Sequence, residues 1–241
     1  MKYFVLFLML AQISQCFSQN YRVTYVIDNF NMNTGKSVDN STFNSLEIAI
    51  NEASSNINKV DFFLETNYKT SVFEGEERIA LPNDPFNARE LIITTVGFSG
   101  YVQSDFTEKF QYNQKSVLGK NFIIEKPIES KKWIITDEEY TILGKKCIKA
   151  STRETIKNSK GVFYREVDAY FTPDLTLQSG PGSYSGLPGL ILKVEVKSKS
   201  VNYSISAKSI EKIKSFPLKD FKEKAISQED FNKLLADRLS Y

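Results

Sequence analysis

Thr34-Gly35-Lys36-Ser37 and Gly182-Ser183-Tyr184-Ser185-Gly186 come nearest, in residue type and spacing, to strings that do chemistry. The first ends like a phosphate-binding loop, but the earlier glycine that lets backbone amides turn around phosphates is replaced by Phe30. It reads as a polar loop. The second has the frame of a nucleophile elbow with tyrosine in the nucleophile's place, so it reads as a turn. The 241 residues contain no histidine, which removes Ser-His-Asp triads, Cys-His pairs, histidine-ligated zinc and histidine general bases. Glu74-Glu76-Glu77 and Asp137-Glu138-Glu139 lack the alternate-residue spacing of a calcium loop and read as solvated turns. A Ser-Lys dyad and a carboxylate pair remain chemically open, with no flanking pattern to single out their members. No catalytic, cofactor-binding or metal-binding residue is assigned.

The elements that must position any site begin after an export signal. Lys2 precedes an apolar run from Tyr3 to Ala11, followed by a polar stretch with small residues. This is the order of a secretory signal peptide, with cleavage expected between Ser18 and Gln19. The run is too short to span a bilayer, and no later segment reaches the ~20 residues of a transmembrane helix. A lipid anchor at Cys16 is the alternative, weakened by Gln15 where a small residue is wanted. The remaining chain, 19–241, reads as one soluble domain of the periplasm or cell envelope. It carries 30 basic and 29 acidic residues, a balance that argues against nucleic acid. Cys147 is then the sole thiol and reads as a buried apolar residue.

Leu46, Ile50, Ala53 and Ile57 fall on one stripe and predict a helix over Phe43–Ile57. Period-two runs predict strands at Tyr21–Ile27, Val60–Thr66, Lys120–Glu125, Trp133–Asp137, Thr141–Lys149, Phe163–Phe171, Leu190–Lys197 and Val201–Lys208. The last two form a hairpin with one wet face. Nine lysines in 193–224 read as part of that solvated face. Ser227 caps a closing helix carrying Phe231, Leu234, Leu235 and Leu239 on one side. The predicted fold is α+β and β-rich, with a large antiparallel, curved or partly closed sheet and one or two flanking helices.

The segment from Ser179 to Leu192 contains Gly186-Leu187-Pro188-Gly189-Leu190-Ile191. It resembles the signature of the GLPGLI family, exported proteins of Bacteroidota without an established activity. The Trp133–Thr136 strand, the Ile142–Ala150 segment, Ala169–Thr172 and Phe62–Phe73 agree with that resemblance over most of residues 19–241. The helix at 43–57 is longer than the family leads one to expect. The resemblance implies an envelope location and a partner such as a TonB-dependent outer-membrane receptor, but no catalytic residue.

Physically, Pro188 and Gly189 predict a type II turn with positive φ at Gly189. Gly180, Pro181, Tyr184, Gly186, Leu187, Pro188 and Gly189 form the candidate partner-binding loop, because irregular loops carry binding residues. The leading expectation is a non-enzymatic binding or accessory protein without cofactor. The alternatives are a carrier of an apolar ligand such as a lipid, motivated by 18 Phe and 12 Tyr, and, less favoured, an envelope hydrolase.

Overall fold

The computed structural model describes residues 19–33, 41–75, 87–117, 119–158, 161–222 and 224–239. The signal segment with Cys16 and Ser18, the Thr34–Ser37 string, and Glu76 and Glu77 lie outside these residues.

Among the described residues twelve strands form one sheet. They are β1 (Asn20–Met32), β2 (Asp61–Thr66), β3 (Thr70–Gly75), β4 (Tyr101–Asp105), β5 (Phe110–Val117), β6 (Lys120–Pro127), β7 (Ile134–Ile142), β8 (Lys145–Asn158), β9 (Gly161–Thr172), β10 (Leu190–Lys197), β11 (Val201–Ile213) and β12 (Ala225–Ser227). The sheet order is β12-β6-β5-β4-β3-β2-β1-β11-β10-β9-β8-β7. Two antiparallel meanders, β1–β6 and β7–β11, are joined where β1 pairs with β11. Only β12, parallel to β6, breaks the antiparallel rule among these strands. Helices α1 (Ser41–Ser55), α2 (Ala88–Val96) and α3 (Gln228–Leu239), with a short 3-10 helix at Ile57–Lys59 that takes Ile57 from the end of the expected helix, complete the described elements. The β-rich α+β expectation holds, with a third helix.

Chain connectivity shows that the sheet is curled. β6 and β7 lie ten strand spacings apart in the sheet order, ~48 Å if flat. Pro127, which ends β6, and Ile134, which starts β7, are seven residue steps apart, a reach of at most ~25 Å. The segment 128–133 is therefore a strap across the mouth of a curved sheet.

The inner face holds the core. Ala150, Ala169, Val194, Ile205 and Ile27 align in one row across β8, β9, β10, β11 and β1, and all are fully buried. Phe62, Leu64 and Phe73 extend it across β2 and β3, with the Phe62 and Phe73 rings stacked. Ile50 of α1 and Ala88, Ile92 and Val96 of α2 pack onto this face. Period-two alternation explains the arrangement, since each strand offers every second side chain to the core.

A second, small core lies on the outer face, where Phe221 packs on Val72 and Tyr101. The closing helix is capped as expected, with Ser227 Oγ accepting from the Asp230 amide at 3.0 Å. Phe231 is buried against Phe122, while Leu234 is exposed.

Several boundaries differ from the sequence expectation. The run Thr141–Lys149 is not one strand. Leu143 and Gly144 both take positive φ, a two-residue primed turn that folds β7 onto β8. The segments at 70–75, 101–105 and 110–117 are strands without a clean period-two signal, because several inward positions are polar (Ser71, Ser104, Gln111, Asn113). Leu91-Ile92-Ile93-Thr94-Thr95-Val96 is rich in β-branched residues yet helical, because it packs Ile92 and Val96 on the sheet.

Candidate functional site

The loop singled out by sequence, 179–190, is the greater part of an irregular segment, 175–190, that turns inward. Its ends meet where the Leu190 amide donates to Leu175 O at 2.9 Å, and the Gly186 amide donates to Gln178 O at 2.9 Å. It is an Ω-shaped loop tied by its own backbone. Tyr184 is 4% exposed and Leu187 1%; both belong to the main core. Gly180, Pro181 and Gly189 are also buried, which leaves Ser183, Gly186 and Pro188 at the surface. The structure thus brings the predicted residues together as a plug on the inner face.

The predicted type II turn is not formed. Among the loop glycines positive φ belongs to Gly182 and Gly186, not Gly189. Gly189 is needed for close approach instead: a Cβ there would sit 2.3 Å from Thr172 O on β9. A Cβ on Gly180 would meet Ile191 Cβ at 2.7 Å, and one on Gly182 would meet the Phe98 ring at 2.8 Å. The glycines let the plug seat against the sheet and against the segment after α2.

Polar contacts lock the plug. Tyr184 and Tyr203 join hydroxyls at 3.1 Å, and the Tyr203 hydroxyl donates to Val96 O of α2 at 3.3 Å. Ser179 and Thr66 hydroxyls meet at 2.8 Å. From the strap, Trp133 Nε1 donates to Ser185 O at 3.0 Å, and Lys131 Nζ lies 5.3 Å from the Tyr184 ring centre. Lys131 Nζ and Arg165 Nε each reach the Glu154 carboxylate at 2.5 Å. The Lys131 and Glu154 side chains are only 13% and 15% exposed. Burial would push the Glu154 carboxyl up, but Lys131 and Arg165 hold it below the usual range. Burial drives the Tyr184 phenol well above its ordinary value and also raises Tyr203. This network joins strap, plug, β8, β9, β11 and α2. Sequence reading missed Lys131, Glu154 and Arg165, because ion pairs across 23 and 11 residues leave no local pattern.

Beside the network, β7 ends the sheet order and the β8–β9 hairpin reaches past the core. Eight of the fourteen exposed large hydrophobic side chains among the described residues lie between Ile134 and Tyr164. Ile134 is the most exposed, at 71%. On β9 the consecutive Val162, Phe163 and Tyr164 are all exposed, so both faces of the strand are bare there. Three apolar residues in succession at a strand's start were the readable signal.

Other candidates resolve to structure. Glu139 and Glu138 of β7 pair with Lys146 and Lys149 of β8. Outer-face lysines of the 193–224 run find carboxylates: Lys193 pairs with Glu195 at 2.7 Å and Lys208 with Asp61 at 3.2 Å. Cys147 is fully buried and burial pushes its thiol pKa up. In the chain from residue 19 it should resist a thiol-specific disulfide reagent in buffer and react within seconds in denaturant, as read by absorbance. Rapid reaction in buffer would contradict this packing. Among the described residues no three Cys, Asp or Glu side chains are grouped to hold a metal ion, and no helix is long and apolar enough to cross a membrane.

Comparison with known proteins adds a family. The family described as N-glycanase peptide, N-terminal domain, matches residues 104–241, a stretch that includes the strap, the Glu154 network and the plug. No curated protein matches the chain. Among solved structures, that of PNGF-II in a C2 crystal form aligns with a TM-score of 0.51 at 14% identity. The alignment covers 90% of this chain and 32% of that one, so the chain spans about a third of the length of that protein. LprF from Mycobacterium bovis aligns at 10% identity and TM-score 0.29, over 86% of this chain and 92% of that one. A lipoprotein-sorting protein domain from Vibrio parahaemolyticus aligns at 7% and 0.25, over 95% and 97%. The last two scores are too low to establish a shared fold.

Proposed function

Because this chain belongs to the N-glycanase peptide, N-terminal domain family, we propose that it is a non-catalytic binding module, exported to the cell envelope, that docks a partner protein along the β7–β9 edge. One observation carries the proposal: exposed apolar side chains are concentrated on a sheet edge rather than scattered. An edge strand offers unpaired amides and carbonyls, and bare aromatics beside it supply burial energy to whatever covers them. The GLPGLI resemblance supports an outer-membrane receptor as that partner, and the missing histidine supports a non-enzymatic role. The plug holds the edge in shape through Trp133 and the Glu154 network, while its buried Tyr184 and Leu187 do not reach a partner.

In-cell crosslinking followed by affinity purification of a tagged chain tests the reading. The expected result is reproducible recovery of one envelope protein. Its yield should fall at least ~10-fold when Ile156 and Phe163, both exposed, are changed to aspartate. Recovery of no protein, or equal recovery with the double variant, overturns it.

A second reading, carriage of an apolar ligand, is favoured by the curvature and by the apolar inner face of Phe62, Leu64 and Phe73. Native and delipidated samples of identical mass under gentle ionisation argue against it.

A further inference from the structure

The inner face of β5 and β6 is more polar than the rest of the curved sheet. Register places Gln111 opposite Lys126, Asn113 opposite Ile124 and Lys115 opposite Phe122. These side chains share the core face, since Asn113 also pairs with Val102 and Val102 with Phe73. Asn113 is thus the middle of a triangle. Lys115 lies two residues along the same strand and Lys126 lies diagonally across on β6, each ~7 Å away at the backbone and within reach of a lysine side chain.

The triangle is chemically incomplete. The Asn113 side chain is 6% exposed, and its Oδ1 is buried with no hydrogen-bond partner among the described residues, a costly state for an acceptor. Gln111 does not relieve it, because its Nε2 donates to Ser104 Oγ at 2.9 Å. Lys115 and Lys126 are half-buried, and among the described residues neither ammonium has an ion-pair or hydrogen-bond partner. No inward position of β5 or β6 is acidic. The nearby Lys131 and Arg165 are already matched by Glu154. Burial, with the Lys115 and Lys131 charges adding to it, lowers the Lys126 ammonium from its ordinary value against the opposing pull of Glu129 and Glu154.

Two unpaired cations select an anion, and the lone acceptor between them selects further. Asn113 Oδ1 repels a bare anionic oxygen and accepts from one that keeps its proton. A carboxylate or a sulfate carries no such proton near neutral pH, whereas a phosphate near its second pKa of about 6 does. We propose that the inner face of β5 and β6 is a binding site for a phosphate group, whose oxygens accept from Lys115 and Lys126 and whose P–O–H donates to Asn113 Oδ1. Free phosphate, a small phosphate monoester and a phosphatidate headgroup share this chemistry. The site does not depend on the partner edge, which lies on other strands.

Titration calorimetry at about pH 6, with the chain from residue 19, compares inorganic phosphate, sulfate and soluble dihexanoyl phosphatidate. Phosphate is expected to bind at least ~10-fold tighter than sulfate. Lys126→Gln should weaken phosphate about tenfold, the loss expected for one charge-assisted hydrogen bond. Asn113→Leu removes a buried acceptor that has no partner, so it should leave the melting temperature no lower while erasing the preference for phosphate over sulfate. Equal affinity for phosphate and phosphatidate supports the site with a free phosphate as its source, and phosphatidate at least ~10-fold tighter supports it with a lipid source. Binding of neither phosphate compound overturns the assignment. So does sulfate binding as tight as phosphate, or phosphate binding that both variants leave unchanged.

Discussion

Replacing Gly189 with alanine is expected to destabilise the chain by at least ~3 kcal/mol, at the upper end of the range for overpacking. The new Cβ would stand 2.3 Å from Thr172 O and 2.8 Å from Thr172 C, both backbone atoms of a central strand. Neither can rotate away, so β9 and β10 must part where the Leu190–Thr172 pair starts their ladder. Gly186→Ala is the matched control. Gly186 has φ +89° and nothing within 4 Å of a Cβ, so only the left-handed backbone cost of roughly 1–2 kcal/mol applies. Urea unfolding followed by circular dichroism separates the two, and for a domain of this size the Gly189 variant should melt roughly 6–12 °C lower. If Gly189→Ala matched Gly186→Ala, the close approach at Thr172 would not be what the plug requires.

That contrast also shows what sequence could and could not convey. The Leu-Pro-Gly-Leu string announced an irregular segment leading into β10, and the alternation Leu192, Val194, Val196 announced the strand itself. It could not show that Gly189 stands beside Thr172, since that proximity belongs to the pairing of β9 with β10. Local rules assigned the glycine to a positive-φ turn, whereas tertiary packing placed positive φ at Gly186. The same limit hid β4 and β5. Their inward positions Ser104, Gln111 and Asn113 are polar and buried, so alternation of hydropathy failed although alternation of burial did not. Helix α1 was legible because its stripe Leu46, Ile50, Ala53 joins the main core at helical spacing. The small outer core was illegible because Val72, Tyr101 and Phe221 come from two neighbouring strands and a distant segment, a set with no sequence period at all.

Glu154→Gln should cost ~2–3 kcal/mol at neutral pH, somewhat less than the 3–5 kcal/mol of fully buried ion pairs because Arg165 is partly exposed. The amide leaves Lys131 and Arg165 facing each other without a counter-charge, and the Lys131 side chain is only 13% exposed. The wild-type carboxyl titrates lower when folded than when unfolded, so below neutrality the unfolded chain binds more protons at this site. Its stabilising contribution is complete above the ordinary carboxylate value, ~4.3, and is lost as pH falls through the lower folded value. Stability therefore declines on acidification in the wild type, and more gently in Glu154→Gln, because that variant lacks this proton-linked loss. Trp133 is the sole tryptophan and donates to Ser185 O from the same strap. Its emission should shift to the red as the strap leaves the plug, at a higher pH in the variant than in the wild type. Replacing Glu154, Lys131 and Arg165 together by Leu, Met and Met removes the stranded charges and should recover most of the lost stability. If the single and triple variants proved equally unstable, the packing of these side chains rather than their charge would hold the strap to the plug.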